Sequence, residues 1–132
     1  MVLVDTNVLV DVLERDPQWW KWSLGQMQTL SAAHQLAINA VIYAELAPTH
    51  TSAAILDQKI ATMNLLFEEI PRPAAFLAGK AFVLYRRRGG GKTGVLSDFF
   101  IGAHAAVLGC AILTRDSSKY AAYFPNVRLI SP

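Results

Sequence analysis

The chain has 132 residues and a mass of 14.5 kDa, enough for one domain that needs neither a metal nor a disulfide to fold. It is 53% apolar, but no apolar run reaches the ~18 residues of a membrane span, and the start lacks a signal-peptide pattern. The net charge of +2 permits a polyanionic partner without demanding one. We therefore expect a single domain over residues 1–132, in a cytoplasmic protein with no membrane partner.

The first predicted element is an apolar strand that ends in a carboxylate. Residues 2–4 are aliphatic, Asp5 follows directly, and Thr6 and Asn7 suit the start of a helix. Ligands bind at the carboxyl ends of strands in open α/β sheets, so Asp5 marks a candidate site. Apolar spacing then predicts a first helix over residues 7–14.

A second helix is predicted from Pro17 to about His34, and it carries three tryptophans. Trp19 and Trp22 share one face, whereas Trp20 is rotated by about 100° from Trp19. One interpretation places two rings in the core and one at the surface. The other makes the cluster a partner-binding groove or a homodimer contact, where aromatic residues are enriched.

The rest of the chain alternates short apolar strands with helices. Strands are predicted over residues 36–39, 67–70, 111–114 and 127–130. Helices are predicted over residues 40–47, from a cap at Thr51 or Ser52 through Phe67, and over residues 73–86, 98–108 (with Ser97 as cap) and 117–123. This alternation implies parallel pairing and a three-layer α/β/α sandwich.

Four of the ten acidic residues stand in apolar surroundings. Glu45 is the only charge of the predicted helix 40–47, and Asp98 stands alone in a long uncharged stretch. Asp116 follows a strand, as Asp5 does. Burying a carboxylate costs several kcal/mol unless a cation or hydrogen bonds compensate. We therefore expect each to lie near a cation or near water.

All four carboxylates can point into one crevice at the carboxyl edge of the sheet. Crowded carboxylates raise one another's pKa, and a divalent cation relieves the repulsion. Oxygen ligands without Cys or His favour Mg²⁺ or Mn²⁺ over Zn²⁺. Simpler roles stay open: Asp5 and Asp116 as N-terminal caps, Asp98 as a first-turn residue favoured by the helix dipole, and Glu45 in a salt bridge to a residue such as Arg115.

In order and spacing, these residues resemble the PIN-domain ribonucleases, and within them the VapC-like toxins of prokaryotic toxin–antitoxin pairs. The likeness is carried by Val4-Asp5-Thr6-Asn7-Val8-Leu9, the Glu45 helix, Ser97-Asp98-Phe99-Phe100-Ile101-Gly102-Ala103-His104-Ala105, and Leu113-Thr114-Arg115-Asp116. Each motif is weak alone, but the ordered set covers essentially the whole chain. The resemblance implies a PIN-like sheet of about five short parallel strands in the order 3-2-1-4-5.

The resemblance also implies an activity, which is metal-dependent hydrolysis of RNA phosphodiester bonds with Mg²⁺ or Mn²⁺ and no nucleophilic side chain. The catalytic and metal-binding residues of the family map here to Asp5, Glu45, Asp98 and Asp116. Asn7 and Thr114 map to positions that orient carboxylates or water. Implied partners are the RNA substrate, a second copy of the chain in a homodimer, and a cognate antitoxin whose tail fills a groove leading to the pocket. We assign Trp19, Trp20 and Trp22 to that groove as a hypothesis.

Residues 86–94 are unusually basic and glycine-rich, which predicts a flexible loop. Gly91-Lys92-Thr93 is like the end of a phosphate-binding P-loop, but the required earlier glycine is Arg86 and no strand leads into the segment, which excludes a nucleotide triphosphatase. The loop is either a solvated turn or a contact for the RNA phosphate backbone. The candidate RNA-binding residues are Arg86, Arg87, Arg88, Lys92 and Arg115.

Two other functions compete with the ribonuclease. A phosphatase could use Asp5 as nucleophile, although Asn7 stands where its general acid would be expected. A PIN-like protein that binds RNA or a partner without cleaving would keep the fold and lose the reaction. Metal-dependent cleavage discriminates between these functions.

Overall fold

The computed structural model describes residues 1–92 and 94–132, and its centre is a parallel sheet. The strands are β1 (Val2–Val4), β2 (Leu36–Ile38), β3 (Leu66–Phe67), β4 (Ala111–Leu113) and β5 (Leu129–Ile130). They pair in the order β3-β2-β1-β4-β5, and every pair is parallel. Every residue of β1, β2 and β4 is buried, as expected for a parallel sheet covered on both faces. The predicted α/β class and strand order are confirmed.

Helices flank this sheet. They are α1 (Thr6–Leu13), α2 (Trp20–Ser31), α3 (Ala40–Leu46), α4 (Ala53–Thr62), α5 (Arg72–Arg87), α6 (Leu96–Leu108) and α7 (Ser118–Tyr123), with a 3₁₀ turn at Ala47–Thr49. In the two described ranges, no helix is long and apolar enough to cross a membrane.

Side-chain caps fix where several helices begin. Asn39 Oδ1 accepts from the backbone N–H of Ile42 at 3.0 Å and starts α3 directly after β2. Ser52 does the same for α4. At the other end of α6, Gly109 adopts φ +68°, which ends the helix just before β4. The direct connection from β2 to α3 places the start of α3 at the carboxyl edge of the sheet.

The second helix is shorter than predicted, starting at Trp20 rather than Pro17 and ending at Ser31 rather than His34. Asp16 is the reason at its start, because Oδ1 of Asp16 accepts from the backbone N–H groups of Gln18 and Trp19 at 3.0 and 2.9 Å. Residues 17–19 therefore form a turn.

The predictions around the third strand are wrong in their boundaries. Helix α4 ends at Thr62 instead of continuing through Phe67, because Asn64 takes the left-handed conformation with φ +56°. Strand β3 then occupies Leu66–Phe67 rather than residues 67–70. Strands β4 and β5 and helix α1 differ from prediction by one or two residues at an end.

The basic loop is also shorter than predicted. Arg86 and Arg87 form the last turn of α5, where positive charge complements the helix dipole, and the left-handed Gly89 follows the helix end. Thr93 of the P-loop-like tripeptide lies outside the described residues. The predicted loop therefore divides into a helical basic end and a glycine-rich connection.

Helix α7 packs closely against α6, and this contact positions Tyr120 at the edge of the sheet. Phe124 packs directly on Gly102, where a Cβ atom would collide with its ring. Phe124 also lies against Phe99, with ring centroids 6.2 Å apart. The packing holds Tyr120, which is only 2% exposed, over the edge of the sheet.

Candidate active site

A pocket of about 330 Å³ opens at the carboxyl ends of β1 and β4. The four predicted carboxylates all line it: Asp5 follows β1, Glu45 lies in α3, Asp98 in α6, and Asp116 follows β4. Its full lining is Asp5, Thr6, Asn7, Val10, Glu45, Asp98, Arg115, Asp116, Lys119 and Tyr120. Charges far apart in sequence are therefore brought to one place.

Asp5 is the most firmly held of the four acids. Its side chain is 5% exposed, and Oδ1 accepts from the backbone N–H of Thr6 at 2.7 Å, which makes Asp5 the N-terminal cap of α1. Oδ2 accepts from the hydroxyls of Thr114 and Tyr120 at 2.8 and 2.9 Å. Burial raises the pKa of Asp5 above its ordinary value, and these hydrogen bonds oppose the shift.

Asn7 and Thr114 connect Asp5 to the segment after β4. The Asn7 amide nitrogen lies 3.4 Å from Asp5 Oδ2 and 3.3 Å from Thr114 Oγ1. Asn7 Oδ1 accepts from the backbone N–H of Arg115 at 3.1 Å, and Thr114 Oγ1 accepts from that of Asp116 at 3.0 Å. These contacts are those that an orienting role would require, and that role stays a prediction.

Glu45 is exposed on the pocket wall and therefore lies near water, one of the two surroundings expected for it. Its Oε1 accepts from the Thr6 hydroxyl at 2.7 Å. Ser97 was expected to cap α6, but the helix begins at Leu96 and has no side-chain cap. The Ser97 hydroxyl instead lies 3.3 Å from Glu45 Oε2 and 3.1 Å from the carbonyl of Gly94.

Asp98 is half-buried in the first turn of α6. Burial raises its pKa to about 6, with further contributions from Asp5, Glu45 and Asp116, while Lys119 acts in the opposite direction. The pocket is thus a region of concentrated negative charge.

Asp116 is exposed at the pocket rim, and its Oδ1 accepts from the Ser118 hydroxyl at 3.0 Å and from the Ser118 backbone N–H at 3.4 Å. The N-cap of α7 is Ser117, so the interpretation of Asp116 as the cap is wrong. Asp5, by contrast, both caps α1 and lines the pocket.

The chemistry of the pocket fits a divalent cation, because its donors are carboxylate oxygens, which Mg²⁺ and Mn²⁺ prefer. Within residues 1–92 and 94–132, however, no three His, Cys, Asp or Glu side chains are grouped to hold a metal ion. Glu45 and Asp116 are exposed side chains of the pocket, and each accepts a hydrogen bond from a neighbouring hydroxyl, of Thr6 and Ser118 respectively.

The sequence profile of the PIN domain matches residues 2–124 of this chain. The chain belongs to the PIN domain family. This confirms the resemblance seen in the sequence motifs. PIN domains are generally nucleases that use divalent metal ions. A comparison with curated protein sequences found no match.

Solved structures similar to this PIN domain share its fold over nearly their whole length. VapBC2 from Rickettsia felis, bound to a promoter DNA fragment, has a TM-score of 0.76 at 18% identity, covering 100% of this chain and 99% of that chain. DNA-bound VapBC from Salmonella typhimurium has a TM-score of 0.72 at 18% identity, covering 98% of this chain and 96% of that chain. FitAcB from Neisseria gonorrhoeae has a TM-score of 0.67 at 20% identity, with the same two coverages.

The candidate RNA-binding residues of this PIN domain fall in two places. Arg115 lines the acidic pocket, whereas the basic residues at the end of α5 do not reach it. Arg86 stacks over Phe82 at 5.7 Å and Arg88 over Tyr123 at 5.6 Å. A direct role of the α5 residues in the pocket is therefore not supported, while a role in holding RNA outside it stays a prediction.

The three tryptophans are all half-buried, so the interpretation with two of them in the core is wrong. Trp19 and Trp22 meet edge to face with centroids 6.0 Å apart, and Trp20 lies 5.5 Å from the Arg15 guanidinium. Trp19 also lies 5.3 Å from the guanidinium of Arg115. The cluster therefore borders the pocket through Arg115 without lining it.

Sequence reasoning missed several residues of the site. Lys119 and Tyr120 stand three and four positions after Asp116, a helical spacing that puts them near it, and this was the available signal. Asp11 is not among the four acids that the sequence singles out, yet it is 1% exposed. Its position three residues after the buried Val8, on the same face of α1, was the clue.

Proposed function

We propose that this PIN domain is a metal-dependent endoribonuclease that hydrolyses RNA phosphodiester bonds in the cytoplasm, as the toxin of a toxin–antitoxin pair. The observation that carries the proposal is the convergence of four carboxylates, from four separate elements, on one pocket at the carboxyl edge of the sheet. Membership in a family of nucleases supports the reaction class.

Asp5, Glu45, Asp98 and Asp116 would hold Mg²⁺ or Mn²⁺. Such an ion, when bound, supplies charge neutralisation at the phosphate and activation of water. The protein's own residues orient the carboxylates. Tyr120 and Thr114 hold Asp5 in one orientation, and Thr6 holds Glu45.

The electrostatics of the pocket favour the binding of a cation. Without one, Asp98 retains its proton below about pH 6, because burial, and then the negative charge of Asp5, raises its pKa. The positive side chains of Arg115 and Lys119 lie at the same pocket and would attract the RNA phosphates.

The phosphatase alternative finds no support in the geometry. Both oxygens of Asp5 already accept hydrogen bonds, so it is poorly placed to attack phosphorus. The position where a general acid would be expected is Asn7, whose amide bonds Thr114 and the Arg115 backbone. An activated water is the better nucleophile here.

The deciding experiment is a cleavage assay on structured RNA with Mg²⁺ or Mn²⁺. We expect cleavage that EDTA abolishes and that Asp5→Asn and Asp98→Asn each reduce strongly, while Glu14→Gln, an exposed acid at the end of α1, leaves it unchanged. Absence of metal-dependent cleavage, or cleavage that survives both substitutions, would contradict the proposal. RNA binding without any cleavage would favour the non-cleaving alternative.

The antitoxin is proposed to contact Trp19, Trp20 and Trp22. Half-buried aromatic rings are typical of protein interfaces, and Trp19 adjoins Arg115 at the pocket. Replacing Trp19 and Trp20 with alanine should weaken the complex with the cognate antitoxin. Arg128→Ala, at an exposed residue away from the tryptophans and from α5, is the control, and unchanged affinity in the tryptophan variant would rule the contact out.

A homodimer is proposed through the apolar surface of α5. Phe76 is 69% exposed, and Val83 and Leu84 on the same helix are also exposed. Apolar surface of this kind favours association. Sedimentation should show a dimer that Phe76→Asp dissociates, and a wild-type monomer at high concentration would refute it.

A further inference from the structure

Asp11, which is buried, and Arg115, which is partly exposed, form an ion pair beside the acidic pocket. Asp11 is 1% exposed, and its Oδ2 accepts from Arg115 Nε at 2.6 Å while its Oδ1 accepts from Nη2 at 3.0 Å. The Ser23 hydroxyl, from α2, donates to the same Oδ2 at 2.7 Å. Both carboxylate oxygens are therefore in use, and the two-point contact fixes the plane of the guanidinium.

Arg115 is held at other points as well. Its backbone N–H donates to Asn7 Oδ1 at 3.1 Å, and the ring of Trp19 lies 5.3 Å from its Cζ atom. Despite these contacts the Arg115 side chain is 28% exposed and lines the acidic pocket. The side chain is thus immobilised at an accessible place.

Some N–H groups of the Arg115 guanidinium are not involved in the contacts with Asp11. A guanidinium carries five N–H groups, and the contacts with Asp11 take one from Nε and one from Nη2. The remaining groups have the planar geometry that matches two phosphate oxygens. Four carboxylates line the same pocket and would repel a polyanion. A positive side chain beside them, such as Arg115, offsets that repulsion.

We propose that Arg115 is a pre-oriented binding site for one phosphate of the RNA backbone, and that Asp11, together with Ser23, is its positioning residue. The inference rests on the proposed function and deepens it. If the ion pair only stabilised the fold, an apolar pair would serve as well, since desolvating two charges offsets most of their attraction. A partly exposed arginine at the mouth of the pocket is better explained by a ligand.

The first test measures binding of a fluorescently labelled single-stranded RNA oligonucleotide to the metal-free protein in EDTA, at several salt concentrations. Arg115→Ala should lower the affinity by about ten- to a hundredfold and reduce the slope of log affinity against log salt by about 0.7. Arg115→Lys should keep the slope and recover only part of the affinity. Arg128→Ala is the matched control, because Arg128 is exposed at the opposite edge of the sheet.

Asp11→Asn separates positioning from simple electrostatics, because the two predict opposite signs. Removing a negative charge should tighten RNA binding if only net charge matters. We expect binding to weaken severalfold instead, because the guanidinium loses its fixed orientation. In the Arg115→Ala background, Asp11→Asn should cause no further loss.

Ser23→Ala provides a second variant with unchanged charge, and it should weaken binding in the same direction, which keeps the test decisive if Asp11→Asn does not fold. Arg115→Ala binding as well as Arg128→Ala would overturn the phosphate site. An Asp11→Asn protein that binds as well as or better than wild type would overturn the positioning role.

The same experiments distinguish failure of this inference from failure of the proposed function. Wild-type protein that cleaves RNA, with Arg115→Ala equal to Arg128→Ala in binding, leaves the ribonuclease intact and removes the Arg115 site. Wild-type protein that binds RNA but never cleaves it removes the ribonuclease and leaves the site to be decided by the binding data. Wild-type protein that binds no RNA in EDTA overturns the Arg115 site, and protein that also fails to cleave RNA with Mg²⁺ or Mn²⁺ overturns both.

Discussion

The hydroxyl of Tyr120 donates a hydrogen bond of 2.9 Å to Oδ2 of Asp5, and both side chains are buried. Burial raises the pKa of the tyrosine, and the negative charge of Asp5 raises it further, so the hydroxyl stays a donor. The orientation of Asp5 therefore depends on a residue 115 positions away in the chain.

Replacing Tyr120 with phenylalanine should destabilise the protein and impair the site. We expect the free energy of unfolding in urea at pH 7 to fall by about 1–3 kcal/mol, because a buried carboxylate loses a donor. Cleavage should fall by about ten- to a hundredfold, as is typical when a group that orients a metal ligand is removed. Tyr123→Phe is the control on the same helix, since the Tyr123 ring packs on Phe99. Equal effects of the two substitutions would show that the hydrogen bond to Asp5 is unimportant.

Thr6 offers a second test of orientation, this time on Glu45. Thr6→Val keeps the shape of the side chain but removes the 2.7 Å hydrogen bond to Glu45 Oε1. We expect cleavage to drop by about tenfold or more while the melting temperature changes little, because Glu45 is exposed. Thr6→Ser retains the hydroxyl and should retain activity. Full activity of Thr6→Val would show that the hydrogen bond to Glu45 is unimportant, and loss of activity in Thr6→Ser alone would assign the effect to the methyl group.

The parallel sheet and the acids could be predicted because each depends on local signals. Apolar triplets such as residues 2–4 and 111–113 favour buried strands, and a carboxylate that follows such a strand within a few residues lies at the sheet edge. The boundaries were less predictable where one side chain decides them. The Asp16 cap shortens α2, and the left-handed Asn64 ends α4.

The long-range contacts of the site could not be predicted. Asp11 looks like a solvated acid until α2 brings Ser23, and the β4 end brings Arg115, to the same face of α1. Tyr120 likewise reads as a core aromatic residue, because nothing local shows that its hydroxyl meets Asp5. Such pairings are products of tertiary packing, which a single sequence does not reveal.

Divalent cations should stabilise the folded protein if the four carboxylates hold one. Binding to the folded state alone adds about 2.7 kcal/mol when the ion is at 100 times its dissociation constant. We therefore expect Mg²⁺ or Mn²⁺ to raise the melting temperature by several degrees at constant ionic strength. Asp98→Asn should lose most of this increase, and Glu14→Gln should keep it. A melting temperature that neither Mg²⁺ nor Mn²⁺ changes would contradict a metal site.

The basic end of α5 should contribute to RNA binding outside the pocket. Arg87 and Lys92 are exposed, and neutralising both with glutamine should weaken RNA binding and lower its salt dependence by about 0.7 for each phosphate that is no longer bound. Cleavage at saturating RNA should stay unchanged, because neither residue lines the pocket. Binding equal to that of wild type would identify the segment as a solvated surface.

The pH dependence of stability should report on Asp98 in the metal-free protein. Its pKa is raised from 3.8 to about 6, chiefly by burial and then by Asp5, so the folded state holds the proton more tightly than the unfolded chain. The stability that this proton contributes is fully present below about pH 3.8 and is lost as the pH rises through about 6. Asp98→Asn removes the effect, so in EDTA the variant should melt above wild type at pH 7. The difference should shrink as the pH falls toward 4. Glu14→Gln is the control. A difference between Asp98→Asn and wild type that does not vary with pH would show that ionising Asp98 does not destabilise the metal-free protein.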